Sequence, residues 1–409
     1  MIKKIYHFCL AFLGALIYKF PSRQIFVAGV TGTKGKSTTI ELINAILEAA
    51  GKKTALISSV RIKIADESEK NLTETTMPGR FFIQKFLKKS INAGCEYALI
   101  EVTSQGINQS RHRFINWDAA LFTNLAPEHI EAHGGFEKYQ VAKLSFFRYV
   151  SKLKTKSLGK LFFINHDDPH AQSFIKAAEN GKIILYSKKD VIDFKFQPPD
   201  SLIGDFNLEN IAAAISFGRT LGVDDEIIKR ALENFKGVPG RMETVQTQPF
   251  RVIIDYAHTP DSLMKIYQTV KSKFQPPNSK LICVFGSAGG GRDKWKRPKM
   301  GEIAAKYCDE IILTNEDPYD ENPLDIIRQI FKGIESASIN HRKPAVYKIL
   351  DRTEAIKKAI SLAKKDDVVI FTGKGSEPYM HLEKGKKIPW DEKQVVKSFL
   401  QNIIEQNKK

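Results

Sequence analysis

The sequence predicts an α/β fold with two domains, and three observations support this prediction. The chain has 409 residues, more than one hydrophobic core usually serves, so two or three domains are expected. Apolar, β-rich runs alternate with segments of helical periodicity, which is typical of a mainly parallel sheet covered by helices. The alternation stops at the turn-rich residues 237–241 and then restarts. Because Pro and Gly interrupt regular patterns, this segment is the predicted hinge.

The predicted strands follow from runs of apolar and β-branched residues. In the first domain they are residues 25–30, 54–58, 97–102, 119–123, 161–165 and 183–186, with helical segments such as 39–50 and 81–93 between them. In the second domain they are residues 252–255, 280–285, 310–314 and 368–372. The carboxyl ends of parallel strands share one edge of a sheet, so ligands are expected at that edge.

The segment before the first strand is apolar. Residues 1–24 are predicted to hold an N-terminal helix, with an apolar stretch at 5–18 behind Lys3 and Lys4. The pattern superficially resembles a signal peptide, but it is too short to span a bilayer comfortably. Cleavage or export would also place the phosphate-binding loop described below outside the cell. We therefore predict a helix that packs on the domain or rests at a membrane surface, and we favour packing.

Charge and cysteine content limit the class of partner. The chain carries 63 Lys and Arg against 46 Asp and Glu, a formal net charge of +17, scattered along its length. Such a basic surface is either simply solvated or attracts anionic small molecules such as nucleotides, and no recognisable nucleic-acid-binding module accompanies it. The four cysteines show neither C-x-x-C spacing nor neighbouring histidines of zinc type. This usage fits a reducing, cytoplasmic location.

Residues 25–39, IFVAGVTGTKGKSTT, join an apolar strand to a Gly-Thr-rich turn and a helix. Gly32 and Gly35 allow a tight turn, so that successive N–H groups face phosphate oxygens at the start of the helix. Lys36 would reach the β- and γ-phosphates, and Ser37 would bind Mg²⁺. Val30 stands where the strict P-loop pattern has its first glycine, so this is a shorter variant. A plain strand–helix turn is the alternative, but the Lys-Ser pair favours nucleotide binding. The residues predicted to bind the nucleotide here are Thr31, Gly32, Thr33, Lys34, Gly35, Lys36, Ser37 and Thr38.

Four further groups of polar residues follow predicted strands or begin a helix. Glu101 closes an apolar strand, where a magnesium ligand is expected. Asn207 and Asn210 begin a helix of small apolar residues. The other groups are residues 123–147, with His129, Glu131, His133 and Lys143, and the series GRMETV, IDYAHTPDSL, FGSAGGGRDKWKRPKM, TNEDPYDENP and FTGKGSEPY. Each has a structural alternative, such as a helix cap for Asn207, a core histidine or a mobile glycine loop. Their combination argues against these alternatives.

Taken together, the motifs resemble those of the Mur ligase family. The matching pieces, in family order, are VTGTKGKSTT, Thr75-Thr76, EVTSQG, TNL…EHIEAHG…EKYQVAK, FN..N, GRME, DYAHTP, GRDKWKRP.M and GKG.E. The chain most resembles the UDP-N-acetylmuramyl-tripeptide synthetases, which add the third residue of the peptidoglycan stem peptide. The resemblance implies a central P-loop ATPase domain at 25–238 and a C-terminal Rossmann-like α/β domain at 239–409, which close over the site.

The resemblance also implies a chemistry, with ATP and Mg²⁺ as cofactors. A donor carboxylate takes the γ-phosphate of ATP to form an acyl phosphate, and the amine of an amino acid then displaces phosphate. Ser37 and Glu101 would hold one Mg²⁺, and His129 would lie near a second. Lys143 matches a lysine that becomes carbamylated and helps to hold that second ion; an ordinary surface lysine is the alternative. The implied catalytic residues are Lys36, Lys143, His129 and Arg292; the implied nucleotide contacts are Asn207, Asn210, Arg241, Asp255 and His258; and the implied substrate contacts are Thr75, Thr76, Arg113, Arg292, Glu316, Asp317, Gly375 and Glu377.

Two departures from the family leave its substrates open here. The signature for meso-diaminopimelate, Asp-Asn-Pro-Arg, becomes Glu316-Asp317-Pro318-Tyr319, and tyrosine cannot bind a distal carboxylate bidentately as arginine does. Full-length relatives begin with a uridine-binding domain, and we expect too few residues before Val27 to fold one. The acceptor amino acid and the recognition of the donor therefore stay open. The apolar helix at 5–18 would be able to hold the enzyme near a lipid-linked precursor.

Three functions remain open from the sequence. The leading one is an amide-forming ligase of peptidoglycan assembly, with a UDP-muramoyl-peptide-like donor, an amino acid acceptor and no nucleic acid partner. The second is a ligase of the same superfamily, or an amidating subunit, acting on a folate, a polymer or a lipid-linked muropeptide. The third is a P-loop switch or a non-catalytic scaffold. Phosphate release separates the three functions. A ligase releases phosphate only when both carboxylate and amine are present, a switch hydrolyses ATP slowly on its own, and a scaffold does not turn over.

Overall fold

The chain folds into two α/β units, Met1–Lys236 and Gly237–Lys409. The computed structural model describes residues 2–128, 130–156, 159–338 and 343–406. Each unit contains one large sheet with helices on both faces, so the predicted α/β fold with mainly parallel sheets is confirmed.

The first unit is built on an eight-stranded sheet. Its strands are β1 (Phe26–Thr31), β2 (Thr54–Ile57), β3 (Arg61–Ile64), β4 (Glu67–Lys70), β5 (Tyr97–Glu101), β6 (Ala119–Phe122), β7 (Leu161–Asn165) and β8 (Lys182–Tyr186), in the order β4-β3-β2-β5-β1-β6-β7-β8. The pairs β2–β3 and β3–β4 are antiparallel, and the pairs β2–β5, β5–β1, β1–β6, β6–β7 and β7–β8 are parallel. The β3–β4 hairpin was not predicted, because β4 is the charged segment ESEK and lacks an apolar run.

The helices of the first unit cover both faces of this sheet. They are α1 (Ile2–Ile17), α2 (Lys36–Ala49), α3 (Arg80–Asn92), α4 (Ser104–Asn108), α5 (Ile130–His133), α6 (Phe136–Ser151), α7 (Ala171–Ala177), α8 (Lys188–Asp193), α9 (Asp205–Thr220) and α10 (Asp225–Glu233). Val27 of β1 belongs to the core formed with α3, α6 and α7. Its neighbours Ala28 and Val30 belong to the core formed with α2, α9 and α10. Because helices bury both faces of the sheet, we expect a ligand to bind at the carboxyl edge of the sheet.

The N-terminal apolar segment forms α1, a helix of 16 residues that packs against α3. Among the described residues, no helix is both long enough and apolar enough to cross a bilayer.

The second unit is built on a six-stranded sheet and a small hairpin. Its strands are β9 (Glu243–Gln246), β10 (Arg251–Ile254), β11 (Leu281–Phe285), β12 (Glu310–Leu313), β13 (Ala345–Lys348) and β14 (Val368–Phe371), in the order β13-β12-β11-β14-β10-β9, with the hairpin formed by β15 (Tyr379–His381) and β16 (Lys387–Pro389). Its helices are α11 (Pro260–Lys273), α12 (Lys296–Tyr307), α13 (Pro323–Ser338), α14 (Arg352–Leu362) and α15 (Glu392–Gln406). Within the six-stranded sheet only β9–β10 is antiparallel.

A disulfide joins Cys283 of β11 to Cys308, the residue that follows α12. The spacing of the cysteines did not indicate this pair, because α12 returns the chain to the sheet and brings together residues that are 25 positions apart. Cys9 and Cys95 are free thiols.

Candidate active site

The predicted phosphate loop connects β1 to α2, and its backbone favours glycine at two positions. Gly32 has a φ of +152° and Gly35 a φ of +81°, conformations that other residues rarely adopt. A Cβ on Gly32 would lie 1.9 Å from Thr123 Oγ1, and a Cβ on Gly35 would lie 2.2 Å from Asn210 Oδ1. Asn124 holds the loop, since its Oδ1 accepts from the Lys34 N–H at 2.8 Å. The N-terminus of α2 follows directly, and helix N-termini present N–H groups of the kind that bind phosphate.

Two lysines meet at one carbonyl of this loop. Lys36 Nζ donates to the carbonyls of Gly32 at 3.1 Å and Thr33 at 2.9 Å. Lys143 Nζ, from α6, donates to the same Gly32 carbonyl at 2.7 Å. Lys143 is only 1% exposed; burial first, and then the charge of Lys36, lower its pKa well below the usual range, while Glu128 acts in the opposite direction. The Lys143 amine therefore loses its proton more readily than an ordinary lysine.

A short chain of polar groups connects Ser37 to the buried acid Glu101. Ser37 Oγ lies 2.8 Å from Ser59 Oγ, and the Ser59 N–H donates to Glu101 Oε1 at 2.8 Å. Within the described part of the chain, no group of three or more His, Cys, Asp or Glu gathers into a metal site. Mg²⁺ in phosphate sites usually takes one or two carboxylates plus phosphate oxygens and waters. The hydroxyl and carboxylate present here fit that ligand set.

One predicted metal ligand, His129, lies outside the described residues. Its neighbour Glu128 pairs with Lys34 through an ion pair of 2.7 Å. His133 is placed near the loop: its Nε2 lies 3.1 Å from Ser104 Oγ, and its ring lies 5.3 Å from that of Tyr139. Burial first, and then the charge of Lys143, lower the pKa of His133.

Asn207 and Asn210 connect α9 to the phosphate loop. Asn210 Nδ2 donates to Asn207 Oδ1 at 3.1 Å, and Asn210 Oδ1 accepts from Thr39 Oγ1 at 3.2 Å. The residue that caps α9 is Gly204, so the helix-cap alternative for Asn207 is wrong. The adenine contact predicted for the two asparagines stays a prediction.

The predicted substrate residues of the first unit lie in two places. Asn71 Nδ2 donates to the Ser58 carbonyl at 2.7 Å and to the Thr75 carbonyl at 3.3 Å, which places the Thr75-Thr76 pair near the end of β2. The guanidinium of Arg113 instead lies over the ring of Tyr149, with its Cζ 4.9 Å from the ring centroid. Tyr149 follows Lys143 by six positions on α6, roughly 9 Å along the helix.

The strand ends of the second unit bring Arg241, Asp255 and His258 together. Asp255 accepts from the N–H groups of Met242 at 2.8 Å and Ala257 at 2.7 Å. The guanidinium of Arg241 lies 4.1 Å from the centre of the Tyr256 ring. His258 Nδ1 lies 2.8 Å from the Tyr256 carbonyl. Tyr256 is thus the residue that Arg241 and His258 share.

A buried lysine links the residues that were predicted to contact the amino acid. Lys374 Nζ donates to Asp317 Oδ1 at 2.9 Å, to Glu377 Oε2 at 2.8 Å and to the Tyr379 carbonyl. Glu377 Oε1 also accepts from the Tyr256 hydroxyl at 2.8 Å. Gly375 lies against Tyr256, because a Cβ there would be 2.9 Å from the Tyr256 Cβ.

The Glu316–Tyr319 segment differs from an arginine-containing site in charge as well as shape. The Tyr319 ring stacks on His381 with centroids 5.0 Å apart. Burial is the largest influence on the pKa of Arg292 and lowers it, but the interactions with Tyr319, Tyr256 and Glu377 together outweigh burial and raise the pKa. Glu316 is 4% exposed, and burial raises its pKa to about 7 against the nearby charge of Lys296.

Four residues that hold these arrangements were not predicted from the sequence: Ser59, Asn124, Tyr256 and Lys374. Asn124, Tyr256 and Lys374 lie inside the quoted motifs TNL, DYAHTP and GKG.E. Position in a motif was therefore the available signal for these three. Ser59 lies in no quoted motif, and its role depends on β2 and β5 being neighbours.

Comparison with known proteins identifies the family. The Mur ligase middle domain matches residues 30–198, and the Mur ligase, glutamate ligase domain matches residues 240–375. The UDP-N-acetylmuramoyl-L-alanyl-D-glutamate–2,6-diaminopimelate ligase of Syntrophomonas wolfei is 38% identical, over 97% of this chain and 82% of its own. The UDP-N-acetylmuramyl-tripeptide synthetase of Treponema denticola is 35% identical, over 95% of this chain and 78% of its own.

Solved structures agree with this assignment. A structure of UDP-N-acetylmuramoyl-L-alanyl-D-glutamate–2,6-diaminopimelate ligase is 29% identical with a TM-score of 0.60, over 92% of this chain and 78% of its own. A Mycobacterium tuberculosis folylpolyglutamate synthase complexed with ADP and AMPPCP has a TM-score of 0.69 at 14% identity, over 90% and 92% of the two chains, which shows the fold alone. The resemblance seen in the motifs is thus confirmed: the chain belongs to the Mur ligase family, whose members are ATP-dependent ligases that form amide bonds.

Proposed function

We propose that this chain joins an amino acid to the free carboxylate of a UDP-muramoyl-dipeptide-like donor, in the cytoplasm, at the expense of ATP. The observation that carries the proposal is the meeting of Lys36 and Lys143 at the Gly32 carbonyl of the phosphate loop. The printed names of relatives at 38% and 35% identity support the donor class, since both are muramoyl-peptide enzymes.

The reaction proceeds in two steps. The donor carboxylate attacks the γ-phosphorus of ATP, which gives an acyl phosphate and ADP. The uncharged amine of the acceptor then attacks the acyl carbon, phosphate leaves with the electrons of the C–O bond, and the amine loses a proton. Lys36 leaves its carbonyl partners to contact the transferring phosphoryl group, and the N-terminus of α2 holds the neighbouring phosphate. The proposed contacts are Asn207 and Asn210 for the adenine, and Arg241, Asp255 and His258 for the nucleotide.

The proposed metal ligands are Ser37 and Glu101 for one Mg²⁺, and His129 and Lys143 for a second. When bound, Mg²⁺ supplies positive charge that offsets the repulsion between the two reacting anions. Lys143 acts as a carbamate: its uncharged amine attacks CO₂, one proton is released, and the neutral amine becomes an anion with hard oxygen donors. The burial of Lys143 favours the uncharged amine that this step requires.

We infer that the acceptor carries no distal carboxylate. The proposed acceptor contacts are Arg292, Glu316, Asp317, Gly375 and Glu377. Asp317 and Glu377 both engage Lys374, so this buried cation is already neutralised and offers little to a further carboxylate. Tyr319 supplies no charge. A distal amine, as in lysine, suits this set of carboxylates better than the amine and carboxylate of diaminopimelate.

Donor recognition is assigned to Thr75, Thr76 and Arg113. A different acid in the place of this donor, such as a folate, a polymer or a lipid-linked muropeptide, would react through the same acyl phosphate step.

The test is the formation of ADP and phosphate by purified protein, with and without candidate donors and amino acids. We expect phosphate release only when UDP-muramoyl-dipeptide, an amino acid and Mg²⁺ are all present, and faster turnover with lysine than with meso-diaminopimelate. Phosphate release that ignores donor and amine would indicate a hydrolytic switch, and turnover with a folate alone would move the chain to the second class of ligase.

A further inference from the structure

The helix α1 exposes large apolar side chains along most of its length. We call these residues the outer face of α1; they are Ile5, Tyr6, Phe8, Phe12, Leu13, Leu16 and Ile17, each between 42% and 61% exposed. A surface helix normally turns its apolar stripe toward the core and its polar residues toward water. In α1 the large apolar side chains instead face outward.

The orientation of α1 is set by small residues on its opposite side. Ala11, Gly14 and Ala15 are buried, and a Cβ on Gly14 would lie 3.5 Å from the Phe81 Cα of α3. Arg80 of α3 donates to His7 Nδ1. Close approach through small residues and this hydrogen bond fix the rotation of the helix. The large side chains therefore point away from the unit because the small ones are needed for packing.

The apolar surface continues from α1 onto its neighbours. The rings of Phe8 and Phe12 contact Phe114, with centroids 5.0 and 5.3 Å apart. Phe81 and Phe82 at the start of α3 are 38% and 36% exposed. A contiguous apolar surface of this kind usually marks an interaction site.

The charged residues of α1 and α3 are positive. Lys3 and Lys19 are exposed at the two ends of the apolar segment, and Lys85 and Lys89 lie on the same stripe of α3 as Phe81. Residues 1–40 and 80–95 contain no Asp or Glu. Burial first, and then the charges of Arg80, Arg111 and Lys3, lower the pKa of His7, which agrees with a positive local field.

We propose that the outer face of α1 docks on an anionic lipid membrane, with α1 lying in the plane of the interface. Large apolar side chains flanked by lysines are the pattern of helices that insert one face at the boundary between headgroups and acyl chains. A helix of 16 residues is too short to cross a bilayer. A symmetric contact between two copies of this chain would place the same lysines against each other, which charge complementarity disfavours. This inference is independent of the proposed donor and acceptor.

The test is sedimentation of the full chain with vesicles of phosphatidylcholine alone or containing phosphatidylglycerol. We expect binding to the anionic vesicles that weakens in high salt. The double variant Leu13→Glu, Ile17→Glu should bind about tenfold more weakly or worse, because two charges would enter the apolar layer. The control Ile192→Glu changes an apolar residue of α8 that is 68% exposed and should bind like the wild type.

A second variant separates charge from apolar contact. Lys85→Glu with Lys89→Glu should lose about tenfold or more in affinity for anionic vesicles. All the substituted side chains are exposed, so thermal melting should stay close to that of the wild type. The proposal is overturned if the wild-type protein does not bind the anionic vesicles. It is also overturned if the Leu13→Glu, Ile17→Glu variant binds them as strongly as the wild type does. It is also overturned if the wild type is a dimer that this variant dissociates, because a second copy would then cover the face.

Discussion

Replacement of Lys143 tests the proposed carbamate most directly. The side chain is 1% exposed and its Nζ lies 2.7 Å from the Gly32 carbonyl, so it is held at the phosphate loop. Loss of a positioned group that stabilises transition-state charge typically costs about 3–4 kcal/mol, a rate reduction of roughly 10²–10³. We expect Lys143→Ala to lose at least that much of its rate of ADP formation.

The same substitution also removes buried methylene groups, and this loss must be separated from the chemistry. At about 0.8 kcal/mol for each buried methylene, Lys143→Ala should lower the free energy of unfolding by roughly 2–3 kcal/mol. Lys143→Met keeps most of the apolar volume without a nucleophilic amine, so it should be as inactive as the alanine variant while losing less stability. Lys138→Met, at an exposed position on the same helix, is the matched control and should be active and stable.

The assay combines single-turnover ADP formation with carbon NMR of protein prepared in ¹³C-bicarbonate. We expect a carbamate signal in the wild type and in Lys138→Met, and none in the two Lys143 variants. Removal of CO₂ should lower wild-type activity reversibly. Formate or acetate should restore part of the rate of Lys143→Ala, because a short acid can occupy the space that alanine leaves, but should not rescue Lys143→Met.

Two results would refute the reasoning. One is a wild-type enzyme that stays fully active after CO₂ is removed, while its Lys143 nitrogen carries no carboxyl group. The other is a Lys143→Met variant that forms ADP at nearly the wild-type rate.

Three further predictions concern the phosphate loop and the second unit. Lys36→Ala should reduce ADP formation by about 10²–10³-fold, because the transferring phosphoryl group loses its cationic contact; near-normal turnover would remove Lys36 from the site. Tyr319→Arg should raise kcat/KM for meso-diaminopimelate relative to lysine by roughly 10–100-fold, as expected for one charged hydrogen bond, and an unchanged ratio would argue against the assignment of this segment. Burial raises the pKa of Glu316 to about 7 from an ordinary 4.5, so the folded state binds its proton more tightly, and this contribution to stability is lost as pH rises from 4.5 through 7. Glu316→Gln should therefore raise the free energy of unfolding at pH 8 by on the order of 3 kcal/mol and change it little at pH 4.5; equal effects in urea unfolding at both pH values would contradict this.

Local sequence patterns predicted most of the strands and the loop between β1 and α2. The strands β1, β5, β6 and β7 were predicted to within one or two residues, because largely buried parallel strands appear as continuous apolar runs. The strand–glycine–Lys-Ser sequence predicted the phosphate loop because the residues of such a loop are contiguous. The family likewise followed from motifs that are short and ordered along the chain.

Only the tertiary structure decided which distant residues meet and which faces are covered. Lys143 and Gly32 are 111 positions apart, and no local pattern states that Lys143 is buried or that it shares a carbonyl with Lys36. The Cys283–Cys308 pair depends on α12 returning the chain to the sheet. The charged strand β4 is recognised only by its pairing with β3. The helix α1 is apolar on all sides, so its periodicity selects no face; packing against α3 selects the small residues, and the large apolar ones are left outside.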